Sequence, residues 1–597
     1  MFIGCLAPLL VAGPAHTPPP RVFRVEAEGK GDASAAIRSA IARASDSGPG
    51  AVVELGPGTF RVSAPTPRAY CFSVAGARGL TIRGQGRATR LVVTEPDAGL
   101  FLISDGSDVA LTDLSVDYDP LPFTQGVVRQ VSVEEGWFDL EIDPGYSTPD
   151  SRNFVEAAEP YGKWGMIIDP RLRRIRSGTS DHFMTPRWER RSGRTWRFFT
   201  NGEHYRLALR DMRPGDRYVH LARGYGGAVL AQGCDGIRIE NVTVHASPGL
   251  AVGLVGNRGS IRVRRLQVRF PAGHDRLLTT NADGVHCQQN RSGPIIEACH
   301  FEGMADDAIN IYAPPNILLE RRTPTEWLLS AGCRIVQGDR LQVLDPRSGR
   351  VRGLVRATNV ALAGDRYRVT LDHALDGAVA GPDHRTGDTL YNLDACGAGF
   401  RIIGNEMIGH RRYGCLLRAP DGLVEGNTFA DTTGAGLAIL NEPDWPEGPM
   451  PGAITVRNNR FLRGGTCRGY ADGAHGQILV RSTALGNSTA SEAGIDGIVI
   501  AGNAFEGYLG VAVRLEAVRH VSIRDNRFRG GRYAMVRGAP IIELIGTSEA
   551  VLTGNTLTDR RAEVACGVLV VGAGATVEVA EQTTSLRPGI EAVVRRP

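Results

Sequence analysis

The chain of 597 residues is long enough for several domains or for one extended repeat structure. Its formal net charge is only +4, so its composition gives no sign of binding to nucleic acid or to an anionic membrane. Outside the N-terminal segment, no stretch reaches the roughly 20 apolar residues that a bilayer span needs, and we predict no membrane span.

The N-terminal segment, residues 1–20, resembles the later part of a secretion signal. Its short apolar run ends in small residues, and the signal would be cut after Ala15. The positively charged start of such a signal is missing. We nevertheless expect a secreted or extracytoplasmic protein, in which the ten widely spread Cys are buried small hydrophobes or form one or two disulfides.

Residues 21–119 are predicted to hold an N-terminal cap and the first coils of a β-helix. The segment ASAAIRSAIARAS at 33–45 has apolar residues at helical spacing and few helix breakers. Short strands separated by Gly-rich turns follow it. A helix at the start of an all-β solenoid covers the unpaired backbone groups of the first rung.

The fold class follows from an internal repeat that becomes clear after Gly226. One unit reads YGCLLRAPDGLVEGNTFAD at 413–431, and another reads LGVAVRLEAVRHVSIRDNRFRG at 509–530. Each has two short strands, a turn, and Asn-x-Phe or a variant. The recurring asparagines are Asn405, Asn427, Asn459, Asn503, Asn526 and Asn555. We predict an all-β, right-handed parallel β-helix of the pectin-lyase-like type, with these asparagines in left-handed corners and hydrogen-bonded to one another.

Two segments interrupt the repeat and are predicted to be inserted antiparallel, barrel-like β-domains. The first covers 120–225 and the second covers 314–395, where Gly-Asp and Pro-Arg-Ser-Gly turns join alternating strands. Coils of the β-helix fill 226–313 and 396–597. Because the second insertion begins directly after DDAINIY, we expect it to overhang the residues that this strand presents. Both insertions are candidate contacts in a homodimer.

A short pattern occurs twice in coils 226–313, as ADGVHC at 282–287 and DDAIN at 306–310. Asp283 and Asp307 are 24 residues apart, about one coil, so they should stack on adjacent coils about 4.8 Å apart. Asp306 would lie beside this pair. The expected stacking is Val285 and Cys287 on Ile309 and Ile311 toward the core, and His286 on Asn310 on the outer face.

Three carboxylates in one patch repel one another, and such a group either binds a cation or performs acid–base chemistry. Calcium is the rival explanation, but the repeated Gly-Asp pattern of calcium-binding β-rolls is missing, so we predict no metal. Inverting glycoside hydrolysis needs a protonated and an ionised carboxyl about 6.5–9.5 Å apart, a separation that Asp306 could reach diagonally from Asp283 and Asp307.

Several motifs are similar to those of a known family. Besides ADGVHC and DDAIN, they are VDYDPLPFTQG at 116–126, GHRRYGCLLRA at 409–419, VEGNTF at 424–429 and the loop of Trp445 and Glu447. With these motifs the chain resembles, from about residue 25 to 560, glycoside hydrolase family 110, the bacterial α-1,3-galactosidases.

The resemblance implies an inverting exo-enzyme without a cofactor. Its substrate would be a galactose-terminated oligosaccharide or glycoconjugate, including blood-group-B-type glycans, from which it releases α-1,3-linked galactose. The essential acids would be Asp283, Asp306 and Asp307. We infer the division of roles: Asp306 is the general acid, while Asp283 and Asp307 position the water.

Six more residues are candidates for substrate binding: His286, Asn310, Arg412, Arg418, Trp445 and Glu447. His286 is either a sugar ligand or a solvated member of the outer ladder, and Trp445 is either a sugar platform or a plug beneath its loop. Arg412 and Arg418 lie one coil beyond Asp307. They either donate hydrogen bonds to sugar hydroxyls or neutralise the carboxylates.

Two other classes of protein stay open. A polygalacturonase-like hydrolase or a lyase would use a similar acid cluster, but the Gly-His-Gly and Arg-Ile-Lys motifs of polygalacturonases are missing and no Lys follows Lys163. A non-catalytic glycan-binding solenoid would need none of the three acids for its role.

Overall fold

The computed structural model describes residues 20–27, 29, 31–157, 163–224, 226–467, 476–532, 534, 536–572 and 576–597. Apart from Pro20, the predicted leader lies outside these residues. The helices are Ser34–Asp46, Arg152–Val155 and Glu203–Ala208, with 3-10 turns at Gly86–Ala88, Leu209–Asp211, Leu393–Ala395 and Leu485–Asn487. None of these described helices has the length and apolar character that crossing a membrane requires.

The predicted parallel β-helix is confirmed, and its coils form a 25-stranded and a 13-stranded sheet. Two long strands of the larger sheet, Ser107–Tyr118 and Asp235–Val244, turn a corner, so this sheet consists of two ladders. With them, the first ladder contains Val22–Val25, Val52–Leu55, Thr81–Arg83, Arg258–Arg264, Ile295–Glu297, Arg401–Ile403, Leu423–Glu425, Gly452–Arg457, Ile495–Ala501, Val518–Arg524, Ser548–Thr553 and Val577–Ala580. The second contains Gly58–Val62, Thr89–Val93, Gln267–Val268, His300–Glu302, Glu406–Ile408, Thr428–Ala430, Arg460–Leu462, Ala504–Glu506, Arg527–Arg529, Thr556–Asp559 and Thr583–Leu586.

The smaller sheet carries the residues of interest and is called the site sheet below. It runs in chain order through Tyr70–Ala75, Gly99–Ser104, Val229–Gln232, Val252–Val255, Val285–Gln288, Ile309–Tyr312, Cys415–Leu417, Leu437–Leu440, Ile478–Arg481, Val513–Glu516, Ile542–Ile545, Cys566–Val571 and Glu591–Arg596. Inward-facing Val, Ile, Leu and Phe side chains from all coils form one continuous core. The nine described cysteines are free and buried, most of them in this core, and none forms a disulfide.

The two insertions are antiparallel and each has its own apolar core. The first is an eight-stranded sheet of Phe123–Ser132, Trp137–Ile142, Trp164–Asp169, Arg174–Ile175, Phe183–Met184, Arg187–Ser192, Thr195–Phe199 and Arg217–Leu221. The second is a closed barrel of Asn316–Arg321, Glu326–Ser330, Arg340–Asp345, Arg350–Ala363, Arg366–Leu371 and Thr389–Asn392. A short hairpin, Thr483–Ala484 with Ser488–Thr489, completes the strands.

The recurring asparagines hydrogen-bond to one another along the helix axis. The side-chain amide of Asn459 donates to Asn503 Oδ1 at 3.0 Å, and Asn459 Oδ1 accepts from the backbone N–H of Asn427 at 2.8 Å. Side-chain bonds of this kind continue from Asn405 to Asn555. The predicted asparagine ladder is therefore present.

The left-handed corners lie one residue earlier than predicted. Gly404, Asn458 and Asp525, each directly before a ladder asparagine, have φ of 63°, 56° and 58°. The ladder asparagines themselves are absent from the positive-φ residues, so their assignment to the left-handed conformation is wrong. The sharp turn falls on residues that tolerate positive φ, and the next side chain can then point inward and reach the neighbouring coil.

Replacing Asn459 by Ala is expected to lower the free energy of unfolding by about 2–4 kcal/mol, because it removes buried hydrogen bonds with Val424, Asn427 and Asn503. Urea unfolding followed by circular dichroism measures this change. The exposed neighbour Asn458, replaced by Gly, is the matched control and should shift the value by less than about 0.5 kcal/mol. Similar losses in both variants would contradict the role of the ladder.

Candidate active site

Two adjacent strands of the site sheet, Val285–Gln288 and Ile309–Tyr312, bring the predicted acids together. They pair in the predicted register: Val285 lies beside Ile309, His286 beside Asn310 and Cys287 beside Ile311. Just before these strands, the N–H of Gly284 donates to the carbonyl of Asp307 at 3.0 Å. This bond aligns the two acidic turns on neighbouring coils.

Asp283, Asp306 and Asp307 form one buried cluster, called the aspartate trio below. They are 4 %, 5 % and 1 % exposed, and one oxygen of each lies within 4.8 Å of the others. At these nearest oxygens the trio is more compact than the roughly 6.5–9.5 Å expected for an inverting pair. The nearest carboxylate oxygens therefore do not show the wide diagonal separation that the sequence predicts.

Three guanidinium groups surround Asp306. Arg223 Nη2 lies 2.8 Å from Asp306 Oδ2, while Nη1 of Arg411 and of Arg412 lies 3.3 Å and 3.6 Å from Oδ1. Burial by itself raises the pKa of Asp306, but these arginines overcome it and bring the pKa down to about 2. They also supply the positive charge that a calcium ion would bring, which favours acid–base chemistry over metal binding.

Asp307 has the opposite electrostatics. The N–H of Tyr413 donates to its Oδ1 at 2.9 Å, and Arg412 Nη1 is 3.9 Å from its Oδ2. Burial raises the pKa of Asp307 to about 8, and the charges of Asp306 and Asp283 add to the rise while Arg412 opposes it. Asp307 therefore holds a proton at neutral pH. The sequence-based assignment of Asp306 as the protonated acid disagrees with these electrostatics.

A chain of polar side chains holds Asp283. His286 Nδ1 is 2.6 Å from Asp283 Oδ2, and His286 Nε2 is 3.1 Å from the hydroxyl of Tyr312. That hydroxyl donates to Gln288 Oε1 at 3.1 Å. Burial lowers the pKa of His286, but Asp283 more than compensates and the pKa lies above its ordinary value. His286 is thus a partner of Asp283 and not a solvated ladder residue.

Arg418 joins a second pair of carboxylates. Although only 1 % exposed, it donates from Nη1 to Glu447 Oε2 at 2.8 Å and to Asn310 Oδ1 at 3.2 Å, and its Nη2 pairs with Glu442. Trp445 Nε1 donates to Glu447 Oε1 at 2.9 Å, while 56 % of this residue is exposed. Arg418 therefore neutralises two glutamates and not the aspartate trio, and Trp445 is not a buried plug.

All nine predicted site residues line one cavity of about 570 Å³, a size typical of ligand sites, which range over roughly 300–1,000 Å³. Seven further residues complete its lining: Trp164, His182, Met184, Tyr205, Arg223, Arg411 and Glu442. The first five belong to the first predicted insertion. The second insertion contributes no residue to this lining, and its predicted position over the strand Ile309–Tyr312 stays a prediction.

Sequence reasoning missed these seven residues, which fall into two groups. Arg411 and Glu442 lie inside or beside motifs that were singled out, GHRRYGCLLRA and the loop of Trp445 and Glu447, and could have been included on that ground. The five insertion residues carry no local signal, because their role comes from contacts with distant coils, such as that of Arg223 with Asp306. Only the folded chain reveals such contacts.

The segment VDYDPLPFTQG supports the loop that leads into Asp283. Arg276 Nη1 lies 2.6 Å from Asp117 Oδ1, and both residues are buried. The N–H of Leu277 donates to Gln125 Oε1 at 3.0 Å. These bonds hold the segment that precedes Asp283, which gives this motif a structural role in the site.

The fold and the cavity together define a parallel β-helix protein with a buried carboxylate cluster on the side of the solenoid. Residues 392–584 match the family model described as a right-handed β-helix region. The chain is similar to α-1,3-galactosidase B of Akkermansia muciniphila, with 24% identity over 422 residues, 68% of this chain and 51% of that protein. The match thus spans about half the length of this relative.

Other curated relatives carry the same name. The α-1,3-galactosidase B of Phocaeicola vulgatus is 22% identical over 66% of this chain and 67% of its own length. That of Bacteroides fragilis strain YCH46 is 22% identical over 74% and 79%. Among solved structures, the catalytic unit of the GH87 α-1,3-glucanase of Streptomyces thermodiastaticus strain HF3-3 aligns with a TM-score of 0.45 at 15% identity, over 98% of this chain and 70% of that one. The resemblance to α-1,3-galactosidases drawn from the sequence is confirmed.

Proposed function

We propose that this protein is a glycoside hydrolase that removes terminal α-1,3-linked galactose from glycans, acting at the non-reducing end. The observation that carries the proposal is the aspartate trio, in which the protonated carboxyl of Asp307 and the ionised carboxyl of Asp306 share one ligand-sized cavity. Glycoside hydrolysis needs both protonation states side by side. The names of the similar proteins supply the sugar and the linkage.

In the proposed reaction, Asp307 transfers its proton to the glycosidic oxygen as the bond from that oxygen to the galactose C1 breaks. A water molecule held by Asp283 attacks C1 and passes a proton to that carboxylate, so the products are galactose and the shortened glycan. The arginines around Asp306 keep it ionised, and its charge stabilises the positive charge that develops on the sugar ring.

We propose that residues in the wall of the cavity recognise the terminal sugar. Trp445 offers an exposed ring for the apolar face of a sugar, and Glu447 and Asn310 offer oxygens to its hydroxyls. Arg418 holds these two polar groups in place. Because the arginine guanidinium is buried and rigidly paired, the orientation of both acceptors is fixed before a sugar binds.

Digestion of linear and branched α-1,3-galactosides, including a blood-group-B-type glycan, tests the function when followed by ¹H NMR. We expect free galactose from at least one of them. Release of oligouronides or unsaturated ends from a uronic-acid polymer would instead indicate a polygalacturonase-like hydrolase or a lyase. Binding without any product, unchanged when the three aspartates are replaced, would indicate a glycan-binding solenoid.

The same spectra decide the stereochemistry. We propose inversion, as the resemblance implies, so β-galactose should be the first anomer to appear. The compact trio makes this a demanding test, because carboxyl groups about 5–5.5 Å apart are typical of retaining enzymes. Initial appearance of α-galactose would overturn the single-displacement reaction and assign one aspartate as a nucleophile.

Activity on a disaccharide is expected to fall as the pH rises through about 8, since the pKa of Asp307 is raised to about 8 and only its protonated form can donate. Values of kcat/KM between about pH 5 and pH 10 measure this decrease in activity at high pH. Hydrolysis of p-nitrophenyl α-galactoside, whose leaving group departs without protonation, should persist above about pH 8. If activity on the disaccharide instead fell as the pH rose through the ordinary pKa of a carboxyl group, about 4, the role of Asp307 would be contradicted.

We also propose that the protein acts outside the cytoplasm, as the leader-like residues 1–20 suggest. Mass spectrometry of the protein recovered from its source should then show an N-terminus at His16. An intact N-terminus in a cytoplasmic fraction would contradict export. A homodimer formed through the insertions stays a proposal, which sedimentation analysis can test.

A further inference from the structure

We propose that Asp181, which belongs to the first insertion, is a positioning residue for the aspartate trio and acts through Arg411. The inference rests on the function proposed above. Asp181 lies between the strands Arg174–Ile175 and Phe183–Met184 and is 2 % exposed. It does not line the cavity, so any influence on the reaction must pass through another residue.

Arg411 lies between two buried carboxylates. Its Nε is 3.5 Å from Asp181 Oδ2, and its Nη1 is 3.3 Å from Asp306 Oδ1. Trp164 covers the guanidinium, with its ring centroid 4.8 Å from the central carbon of Arg411. One end of this cation thus contacts the insertion and the other end contacts the trio.

Asp181 is itself held from both sides. The hydroxyl of Thr433, on the β-helix, donates to Asp181 Oδ2 at 2.9 Å, and His182 Nδ1 is 2.8 Å from Asp181 Oδ1. His182 Nε2 in turn lies 2.8 Å from the hydroxyl of Tyr205. Burial raises the pKa of Asp181, but Arg411, His182 and Thr433 bring it well below its ordinary value, so Asp181 is ionised.

The contact with Asp181 restricts where the Arg411 guanidinium can lie. An arginine side chain carries about 2 kcal/mol of rotamer entropy, and Arg411 is close to a cluster of three carboxyl groups. Without a second anchor, its guanidinium can turn toward Asp307, where its positive charge would stabilise the ionised carboxylate, and Asp307 would lose to water the proton that the reaction needs. Asp181 holds the group on the side of Asp306, which keeps the ionised and the protonated carboxyl distinct.

The test is a double-mutant cycle of Asp181→Asn and Arg411→Lys, with kcat and KM measured on galactosyl-α-1,3-galactose. Asn preserves the shape and can still accept from Thr433. We expect Asp181→Asn to lower kcat by about 10–100-fold with little change in KM, as a displacement of about 1 Å in a catalytic group does. In the Arg411→Lys background the same change should cost less than about threefold, because its route of action is already lost.

Asp139→Asn is the matched control. Asp139 lies in the same insertion, is buried, and makes a two-pronged ion pair with Arg197 at 2.8 and 2.9 Å, but it is not part of the cavity. We expect this variant to lose stability on heating while keeping its kcat. Wild-type kcat in Asp181→Asn, a loss equal to that in Asp139→Asn, or losses that add in the double variant would overturn the inference.

A crystal structure of Asp181→Asn separates this inference from the proposed function. Movement of the Arg411 guanidinium away from Asp306 is expected. If it moves in a protein that cleaves no α-galactoside, the proposed function fails and the positioning role stands. If it stays in place in an active enzyme, the positioning role fails alone.

Discussion

Asp307→Asn is expected to reduce kcat on galactosyl-α-1,3-galactose by about 10²–10⁴-fold, which is the range that general acid catalysis contributes. Turnover of p-nitrophenyl α-galactoside should fall by less than about tenfold, because p-nitrophenolate leaves without protonation. The reason is the burial that keeps Asp307 protonated at neutral pH. Asn has the same shape and can still accept the Tyr413 N–H, so the cluster should keep its packing.

Asp306→Asn and Asp283→Asn are the matched comparisons for this result. Both should lose most activity on both substrates. Asp306→Asn removes the negative charge that the arginines hold, and Asp283→Asn removes the proposed partner of the attacking water. Melting temperatures check that all three variants fold. Selective loss in Asp306→Asn instead would restore Asp306 as the acid. Near-normal turnover of both substrates by any of the three variants would show that the proposed site is wrong.

Arg418→Met is expected to lower the free energy of unfolding by about 3–5 kcal/mol and to raise KM at least about tenfold. Removing one partner of a buried ion pair leaves the other charge uncompensated, and here Glu442 and Glu447 both depend on Arg418. Both carboxylates keep some solvent contact, which places the loss at the lower end of that range. Chemical unfolding and steady-state kinetics measure the two effects.

Arg561→Met separates stability from recognition. Arg561 is buried, pairs with Asp559 Oδ2 at 2.6 Å and lies outside the cavity. Its loss should destabilise the protein by a similar amount and leave KM unchanged. If both variants altered KM equally, the effect of Arg418 would be one of general stability, and its role in orienting Asn310 and Glu447 would be wrong.

Spacing along the chain was sufficient to predict the fold class and the register around the acids. A parallel β-helix repeats at a fixed interval, so apolar residues and asparagines at that interval reveal the coils, and an interval of one coil places residues side by side. The separation of Asp283 and Asp307 along the chain was therefore enough to predict that these two acids lie side by side on adjacent coils. The stacking of His286 on Asn310 followed from the same arithmetic.

The position of the left-handed corners could not be predicted in this way. Both Asn458 and Asn459 are compatible with a turn, and the choice between them depends on which side chain reaches the neighbouring coil. Likewise, Arg418 has the same formal charge as Arg412, yet one faces two glutamates and the other faces the trio. Side-chain direction decided both cases, and it is a property of the packed chain.

The sequence alone determined the repeat, the identity of the three acids and their stacking, because each depends on spacing along one coil. Only the tertiary structure decided which acid holds the proton and which domain closes the cavity. The pKa values depend on burial and on Arg223 and Arg411, which reach Asp306 from distant parts of the chain. Such electrostatic effects act through space over a few ångströms, and no local pattern in the chain encodes them.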